Sequence, residues 1–142
     1  MLLRWLPVLF WMAMIFIAST DSFSAQHTGS ILIPILLRLF PHISPQAIDW
    51  IHLCIRKGAH LGEYSILGAL LWRAIPEHKT LPEVADWSRA GVALFVATFY
   101  AAIDEYHQSF VPSRGASVHD ILIDACGAGL ALICLCLLDR IK

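Results

Sequence analysis

Side chains able to do chemistry are concentrated in two short stretches of an otherwise apolar chain. The first runs from Arg56 to Tyr64 and holds lysine, histidine and glutamate. The second runs from Asp104 to Gly129 and holds four carboxylates, two histidines, an arginine and a glutamine. A charged group in the middle of a bilayer costs about 3 kcal/mol, so such groups usually face protein or water and serve a function. These two stretches therefore contain the candidate site.

The first stretch places its polar side chains on one helical face. At about 100° per residue, Lys57, His60 and Tyr64 fall within about 60° of one another, and Glu63 lies at the margin of that face. Histidine is the most frequent general acid or base in enzymes. We expect Glu63 to orient His60.

The second stretch forms two further helical stripes on either side of a loop. Asp120, Asp124 and Gly127 follow the spacing i, i+4, i+7, and Asp104 and Gln108 share a stripe on the preceding helix. We expect these stripes to reach the same membrane surface as the first stretch and to complete one polar site.

The candidate residues divide by the chemistry of their side chains. Four are assigned to acid–base or catalytic roles: His60, Glu63, Asp104 and Asp120. Six are assigned to binding: Lys57, Tyr64, Glu105, Gln108, Arg114 and Asp124. No cofactor is predicted, and a divalent metal among the acids is left open. His107 and His119, beside these residues, are expected to face solvent.

The composition is that of an integral membrane protein. The chain has 142 residues, of which 58% are hydrophobic and 15% charged, against roughly 25% charged in soluble domains. Its mean hydropathy is +0.67. A net charge of -1 gives no nucleic-acid signature. The four cysteines lack CxxC spacing and are interpreted as buried apolar side chains.

Four apolar runs have the length of a bilayer span, about 17–25 residues. We therefore predict an all-α membrane protein, a single domain over residues 1–142 built as a bundle of four transmembrane helices. The approximate spans are 3–19, 57–75, 89–105 and 118–138. Ser44 and Pro45 supply an N-cap and a first-turn proline ahead of the second span, and Pro76 ends its helix. A charged loop is predicted from Pro76 to Ser88, with Thr80 and Glu83 as a capping box.

A short apolar segment lies between the first two spans. Ile31 to Phe40 is too short to cross a bilayer and is interrupted by Pro34 and Arg38. It is interpreted as an interfacial or re-entrant helix, with a lid packed on the other helices as an equal alternative.

Small residues indicate where helices approach closely. Gly58 and Gly62 allow a close approach or a slight bend, and Gly127 with Ala131 is a small-xxx-small pair.

Lysine and arginine placement orients the chain. With the N-terminus inside, six basic residues are inner and four are outer. This predicts a multi-pass protein of the plasma membrane with both termini cytoplasmic and the polar site at the outer surface. We interpret the first apolar run as an uncleaved helix, because its removal as a signal peptide would leave three spans and termini on opposite sides.

One ordered set of motifs runs through both polar stretches. It reads Lys57-x-x-His60-x-x-Glu63-Tyr64, then Asp104-Glu105-x-x-Gln108-x-Phe110-x-Pro112-x-Arg114, then Asp120 with Gly127. Over nearly the whole chain this set resembles the VanZ family of small membrane proteins. The family is named for a member linked to teicoplanin resistance, and most members lack an assigned activity. Ser113 stands where the family commonly has glycine, and Asp124 stands where asparagine is common.

Three functions remain open at this point, the third being a purely structural partner of a larger membrane complex. In the first, Arg114 and Lys57 bind the phosphate or carboxylate of a membrane lipid or a lipid-linked cell-wall precursor, since arginine forms bidentate bonds with such groups. The resemblance adds a link to glycopeptide resistance. In the second, an intramembrane enzyme uses His60 as acid or base, and Asp104, Glu105 and Asp120 hold a divalent metal. No GxSxG, HExxH or P-loop motif is present.

Charge favours the first function. Five carboxylates face Lys57, Arg114 and a titratable histidine. Asp104 and Glu105 are consecutive, so we expect only one of them to face inward on a regular helix. The remaining acids are then expected to pair with Lys57 and Arg114 and to hold no metal.

Overall fold

The protein is all-α, as predicted. A computed structural model describes residues 2–21, 24–76 and 82–139, and within these ranges it contains helices and no strand. The helices are α1 (Leu2–Ala18), α2 (Ala25–Leu39), α3 (Pro45–Ala74), α4 (Pro82–Gln108) and α5 (Val118–Asp139).

Serine caps begin α2 and α3. The Ser24 side chain accepts from the His27 amide, and the Ser44 side chain accepts from the Ala47 amide. The predicted start of α3 at Ser44 and Pro45 is confirmed, and its last helical residue, Ala74, precedes Pro76. α2 begins six residues before the apolar segment Ile31 to Phe40, because Ser24 supplies the N-cap.

The start of α4 corrects the predicted loop. The helix begins at Pro82, so residues 82–88 are helical and continuous with the third apolar run. Proline is favoured in a first helical turn, where no backbone amide donor is needed. Thr80, one half of the proposed capping box, lies outside the described residues.

The closest helix contact joins α3 to α5. A methyl group on Gly127 would lie 2.3 Å from the Leu61 carbonyl oxygen, and one on Gly68 would lie 3.0 Å from the Ala128 carbonyl oxygen. In the part of the chain that the structure describes, no atom of another helix lies within 4 Å of such a group at Gly58 or Gly62, so the predicted close approach at these two glycines is wrong. Two main chains thus meet where glycine removes the side chain.

Contacts along the helices fix their directions. Trp11 in α1 donates to the Glu63 carbonyl oxygen (2.8 Å), and Tyr100 in α4 donates to the Met12 carbonyl oxygen (2.6 Å). α3 and α5 run parallel, because Lys57 pairs with Asp120 and, further along both helices, Ser65 bonds to Gly127. As a result, the C-terminal ends of α1 and α4 meet the N-terminal end of α5 beside the middle of α3.

One helix within the described ranges is both long and apolar enough to cross a membrane. It is α5, with 22 residues and a mean hydropathy of 2.5 in its most apolar part. Apolar segments in α1 and α2 are shorter. By length and composition alone, therefore, the predicted four-span arrangement is not confirmed, and one span is supported.

The cysteines depart from expectation. Cys54, Cys126 and Cys134 are exposed on the helix surfaces, and Cys136 is buried; all four are free thiols. Large apolar side chains are exposed on the helices as well; Phe95 of α4, for example, is 70% exposed. The outer faces of the helices are thus apolar, and spacing alone does not reveal which side of a hydrophobic helix faces the core.

Candidate functional site

Lys57 and Asp120 form an ion pair across α3 and α5. Lys57 is one-third exposed, whereas Asp120 is buried in the first turn of α5. A carboxylate there is stabilised by the positive end of the helix dipole as well as by the lysine. Asp120 therefore does more than cap its own helix, and the two polar stretches do meet.

His60 is held by Asp124. The ring Nδ1 lies 3.2 Å from Oδ1 of Asp124, and both side chains are buried. The sequence suggested Glu63 as the orienting group, but the hydrogen-bond partner comes from α5. The second Asp124 oxygen, Oδ2, is buried and accepts no hydrogen bond from the described residues.

Glu105 caps the start of α5 from α4. Its Oε2 accepts from the Ser117 amide at 2.7 Å, and Ser117 directly precedes the helix. Its Oε1 is buried and has no hydrogen-bond partner within the described ranges. Glu105 thus links α4 to α5 through one carboxylate oxygen, and its other oxygen remains available to a ligand.

Asp104 faces α1 and not the α5 side of α4. It accepts from the Ser19 hydroxyl and from the Gln108 amide, the latter at 2.9 Å. Both Asp104 and Glu105 are buried, so the expectation that only one could face inward is wrong. The two point to different neighbours because α4 lies between α1 and α5. Sequence reasoning missed Ser19, although a serine ending an apolar run was a usable signal.

Tyr64 is fully buried beside this cluster. Its ring centroid lies 6.5 Å from that of Tyr100, and its hydroxyl has no hydrogen-bond partner among the residues described. Glu63, one position earlier, is half-buried. The predicted face of α3 is therefore turned toward the bundle interior.

Arg114 joins the loop before α5 to α1. One of its guanidinium nitrogens donates to the Ala18 carbonyl oxygen at 2.5 Å. Burial lowers the pKa of Arg114, and the nearby positive charge of Arg56 lowers it further, while neighbouring carboxylates oppose the shift. The charges of the two guanidinium groups therefore act on each other.

A cavity of about 350 Å³ opens between α2, α3 and the end of α1. Its lining includes four charged or titratable side chains at or near the site, Arg56, His60, Glu63 and Arg114. Much of the remaining lining is aliphatic and comes from α2 and α3, namely Ile31, Leu32, Ile35, Ile55 and Ala59. Arg56 was not among the candidate site residues.

α2 covers this cavity and contacts α3 at His52. Thr28 lies 3.0 Å from Nε2 of His52, and Gly29 is buried against the same ring. A short helix covering the site is what the interpretation as a packed lid requires.

Two histidines beside the motifs behave differently. His119 is exposed, as expected. His107 instead packs on Phe16, with ring centroids 4.4 Å apart. It belongs to the contact between α1 and α4.

Three of the site residues could hold a metal ion. One ring nitrogen of His60 and one carboxylate oxygen each from Glu105 and Asp120 lie within 4.8 Å of one another. Asp104 is also a predicted metal ligand, but its carboxylate accepts hydrogen bonds from Ser19 and Gln108 instead.

These observations define a class of protein: a small all-α bundle with an apolar exterior and a buried ionic cluster beside the middle of its longest helix, α3. The family model described as VanZ/LLP1 matches residues 4–139, and the chain belongs to that family. No curated protein and no solved structure matches it.

Proposed function

We propose that this protein binds an anionic amphiphile in the cavity beneath α2. The ligand is a membrane lipid or a lipid-linked cell-envelope precursor whose phosphate lies between Arg56 and Arg114. The observation that carries the proposal is the cavity itself, whose lining combines two arginines with aliphatic side chains of α2 and α3.

The charge of the lining supports an anion. Arg56 and Arg114 contribute two positive charges and Glu63 one negative charge, which leaves a net charge of +1 with His60 neutral. Guanidinium groups that line one cavity repel each other, and their planar forks match phosphate oxygens.

The size of the cavity supports part of a lipid. A volume of about 350 Å³ is near the lower end of ligand sites, roughly 300–1,000 Å³. It suits a phosphate with the first carbons of a chain. The remainder of an acyl or prenyl chain would follow the exposed aliphatic face of α2 into the bilayer.

The proposal places the bundle across a membrane with four spans, both termini inside and the cavity toward the outer surface. α3 and α4 have 30 and 27 residues, or roughly 45 and 40 Å at about 1.5 Å per residue, which exceeds a bilayer core of about 30 Å. Several of their charged side chains pack against α1 and α5 and so are shielded from lipid.

Native mass spectrometry of the detergent-purified protein tests binding. Dihexanoyl phosphatidic acid and farnesyl phosphate represent the two phosphate sources, and dihexanoyl phosphatidylcholine is the zwitterionic comparison. We expect at least one anionic ligand to bind at one per chain. Arg56→Gln should weaken it about tenfold or more, because a hydrogen bond to a charged group is worth about 1.5–3 kcal/mol.

Arg38→Gln is the matched control. Arg38 is an exposed arginine of α2 that does not line the cavity, so its loss should leave affinity within about twofold. Binding of phosphatidylcholine as tight as that of both anionic ligands, or equal losses in the two variants, contradicts the proposal.

A role in glycopeptide resistance belongs to the same proposal and is supported by family membership alone. It is tested by comparing teicoplanin susceptibility of cells expressing the native chain and Arg56→Gln. The enzyme alternative gains no support from the contact between His60 and Asp124, since it replaces the expected pair with Glu63.

A further inference from the structure

The interior of the bundle holds more negative than positive charge. Five buried or half-buried carboxylates (Glu63, Asp104, Glu105, Asp120, Asp124) face three cationic side chains (Arg56, Lys57, Arg114), a difference of two with His60 neutral. A buried charge without a partner is strongly unfavourable. A divalent cation would remove this imbalance.

The three groups closest together each have one atom fixed and one atom left for a ligand. His60 has Nδ1 against Asp124, which leaves Nε2. Glu105 uses Oε2 for the Ser117 amide, which leaves the buried Oε1. Asp120 uses Oδ1 for Lys57, which leaves Oδ2.

Asp124 makes this arrangement more than a cluster of acids. Histidines that bind metals almost always donate their other ring N–H to a carboxylate or a carbonyl, which fixes the tautomer and the ring orientation. Asp124 is fully buried and supplies that carboxylate from the same helix as Asp120. The unpartnered oxygen of Glu105 is a second and independent sign of a missing positive partner.

The distances suit one ion after small side-chain rotations. One ring nitrogen of His60 and one carboxylate oxygen each of Glu105 and Asp120 lie within 4.8 Å of one another. Two ligands at about 2.1 Å from a shared ion lie at most about 4.2 Å apart. All three residues are buried, so the protein already excludes most water from this point.

We propose that His60, Glu105 and Asp120 bind one divalent transition-metal ion, with Asp124 as the positioning residue for His60. One imidazole nitrogen and two carboxylates suit Zn²⁺, Mn²⁺ or Fe²⁺ better than Mg²⁺ or Ca²⁺, which prefer oxygen ligands alone. His60 also lines the cavity beneath α2. The metal therefore joins the buried cluster to that cavity and can accept a phosphate oxygen as a further ligand.

The experiment uses Mn²⁺ as the probe on detergent-purified full-length protein first treated with a chelator. Loss of the free Mn²⁺ signal in electron paramagnetic resonance should show one saturable site per chain. Zn²⁺ should displace the bound ion, and Mg²⁺ in tenfold excess should not. Pulsed measurements should show coupling to an imidazole nitrogen.

Variants separate ligands from bystanders. Glu105→Gln should weaken Mn²⁺ binding more than tenfold, and Asp124→Asn should weaken it about 10- to 100-fold, the usual effect of losing the partner of a ligand. Lys57→Met should strengthen binding severalfold, because it removes a competing charge from Asp120. His119→Gln changes an exposed histidine of α5, the helix of Asp120, and should change the affinity for Mn²⁺ by less than about twofold.

Absence of saturable Mn²⁺ binding, or saturable binding without nitrogen coupling, overturns the metal site. Circular dichroism and gel filtration check that each variant folds. If Glu105→Gln does not fold, the nitrogen coupling of the native chain and the Lys57→Met result decide. The metal site does not rest on the lipid proposal: phosphatidic acid binding by chelator-treated protein that takes up no Mn²⁺ would remove the metal site alone.

Discussion

His60 of α3 and Asp124 of α5 face each other in the bundle interior, with Nδ1 3.2 Å from Oδ1. The two residues are 64 positions apart in sequence. Their contact lies one helical turn from the ion pair of Lys57 with Asp120. The polar residues of α3 are therefore paired with the N-terminal half of α5 in register.

The first prediction concerns this contact. Replacing His60 by Gln and Asp124 by Asn, singly and together, should give a coupling free energy of about 1 kcal/mol or more, since the pair is buried and hydrogen-bonded. Unfolding in mixed detergent and dodecyl sulfate measures it. The same cycle with exposed His119→Gln in place of His60→Gln should give a coupling near zero. Equal couplings in both cycles would mean that the contact contributes nothing specific.

The second prediction concerns the crossing of α3 and α5. Gly127→Ala should lower the free energy of unfolding by about 1–3 kcal/mol, the usual effect of overpacking, because its methyl group would meet the Leu61 carbonyl oxygen at 2.3 Å. Gly62→Ala is the control, since nothing lies within 4 Å of the added group. It should be neutral or stabilising by up to about 1 kcal/mol. A neutral Gly127→Ala would contradict the described crossing.

The third prediction concerns Ser19. Ser19→Ala removes a hydroxyl donor from buried Asp104 and should cost about 1–3 kcal/mol of stability, the usual effect of leaving a buried acceptor unsatisfied. Ser30→Ala removes an exposed hydroxyl of α2 and should change stability by less than about 0.5 kcal/mol. Thermal unfolding in detergent compares the two. Equal losses of stability in the two variants would contradict the prediction, because they would mean that water replaces Ser19 as the donor to Asp104.

The fourth prediction concerns orientation. In a cysteine-free background, Gly115→Cys adds a thiol to the exposed loop before α5. A membrane-impermeant maleimide should label it in intact cells, because the proposed topology puts this loop outside. A thiol placed after Lys142 should be labelled only after permeabilisation. The reverse pattern would put the site on the inner face.

The fifth prediction is that α1 stays attached in the mature protein. Ala18 and Ser19 line the cavity, so cleavage after this helix would remove part of its wall. Intact mass measurement of the purified protein checks this. Loss of roughly the first two dozen residues, the length of a signal peptide, would show cleavage.

Much of this arrangement could be predicted from sequence because charged residues in an apolar chain are few. Lys57, His60, Asp120 and Asp124 were located by helical spacing alone, and α5 places the last two on one buried face. Pairing was harder. Which carboxylate holds His60 depends on how α3 and α5 cross, and that is set by Gly127, whose importance a residue pattern shows only in part.

Other errors have equally local causes. Asp104 and Glu105 were judged in isolation on one helix, whereas α4 has neighbours on both sides and buries both acids. Arg56 was overlooked because it lies off the face shared by Lys57 and His60. It becomes relevant only once α2 encloses a cavity beside it. Sequence periodicity describes one helix at a time, and these residues depend on two or three.

The hydrogen bonds of α1 impose an order on biosynthesis. Asp104 is translated 85 residues after its partner Ser19, and Arg114 is translated 96 residues after its partner Ala18. At about 5–20 residues per second of translation, this delay is roughly 4–20 s. During that time the first helix to be made lacks its polar partners. A chain truncated before α5 never acquires Asp120 and Asp124, so Lys57 and His60 stay unmatched. A lysine that loses its carboxylate partner inside an apolar bundle is strongly unfavourable, so the truncated chain is destabilised at this point.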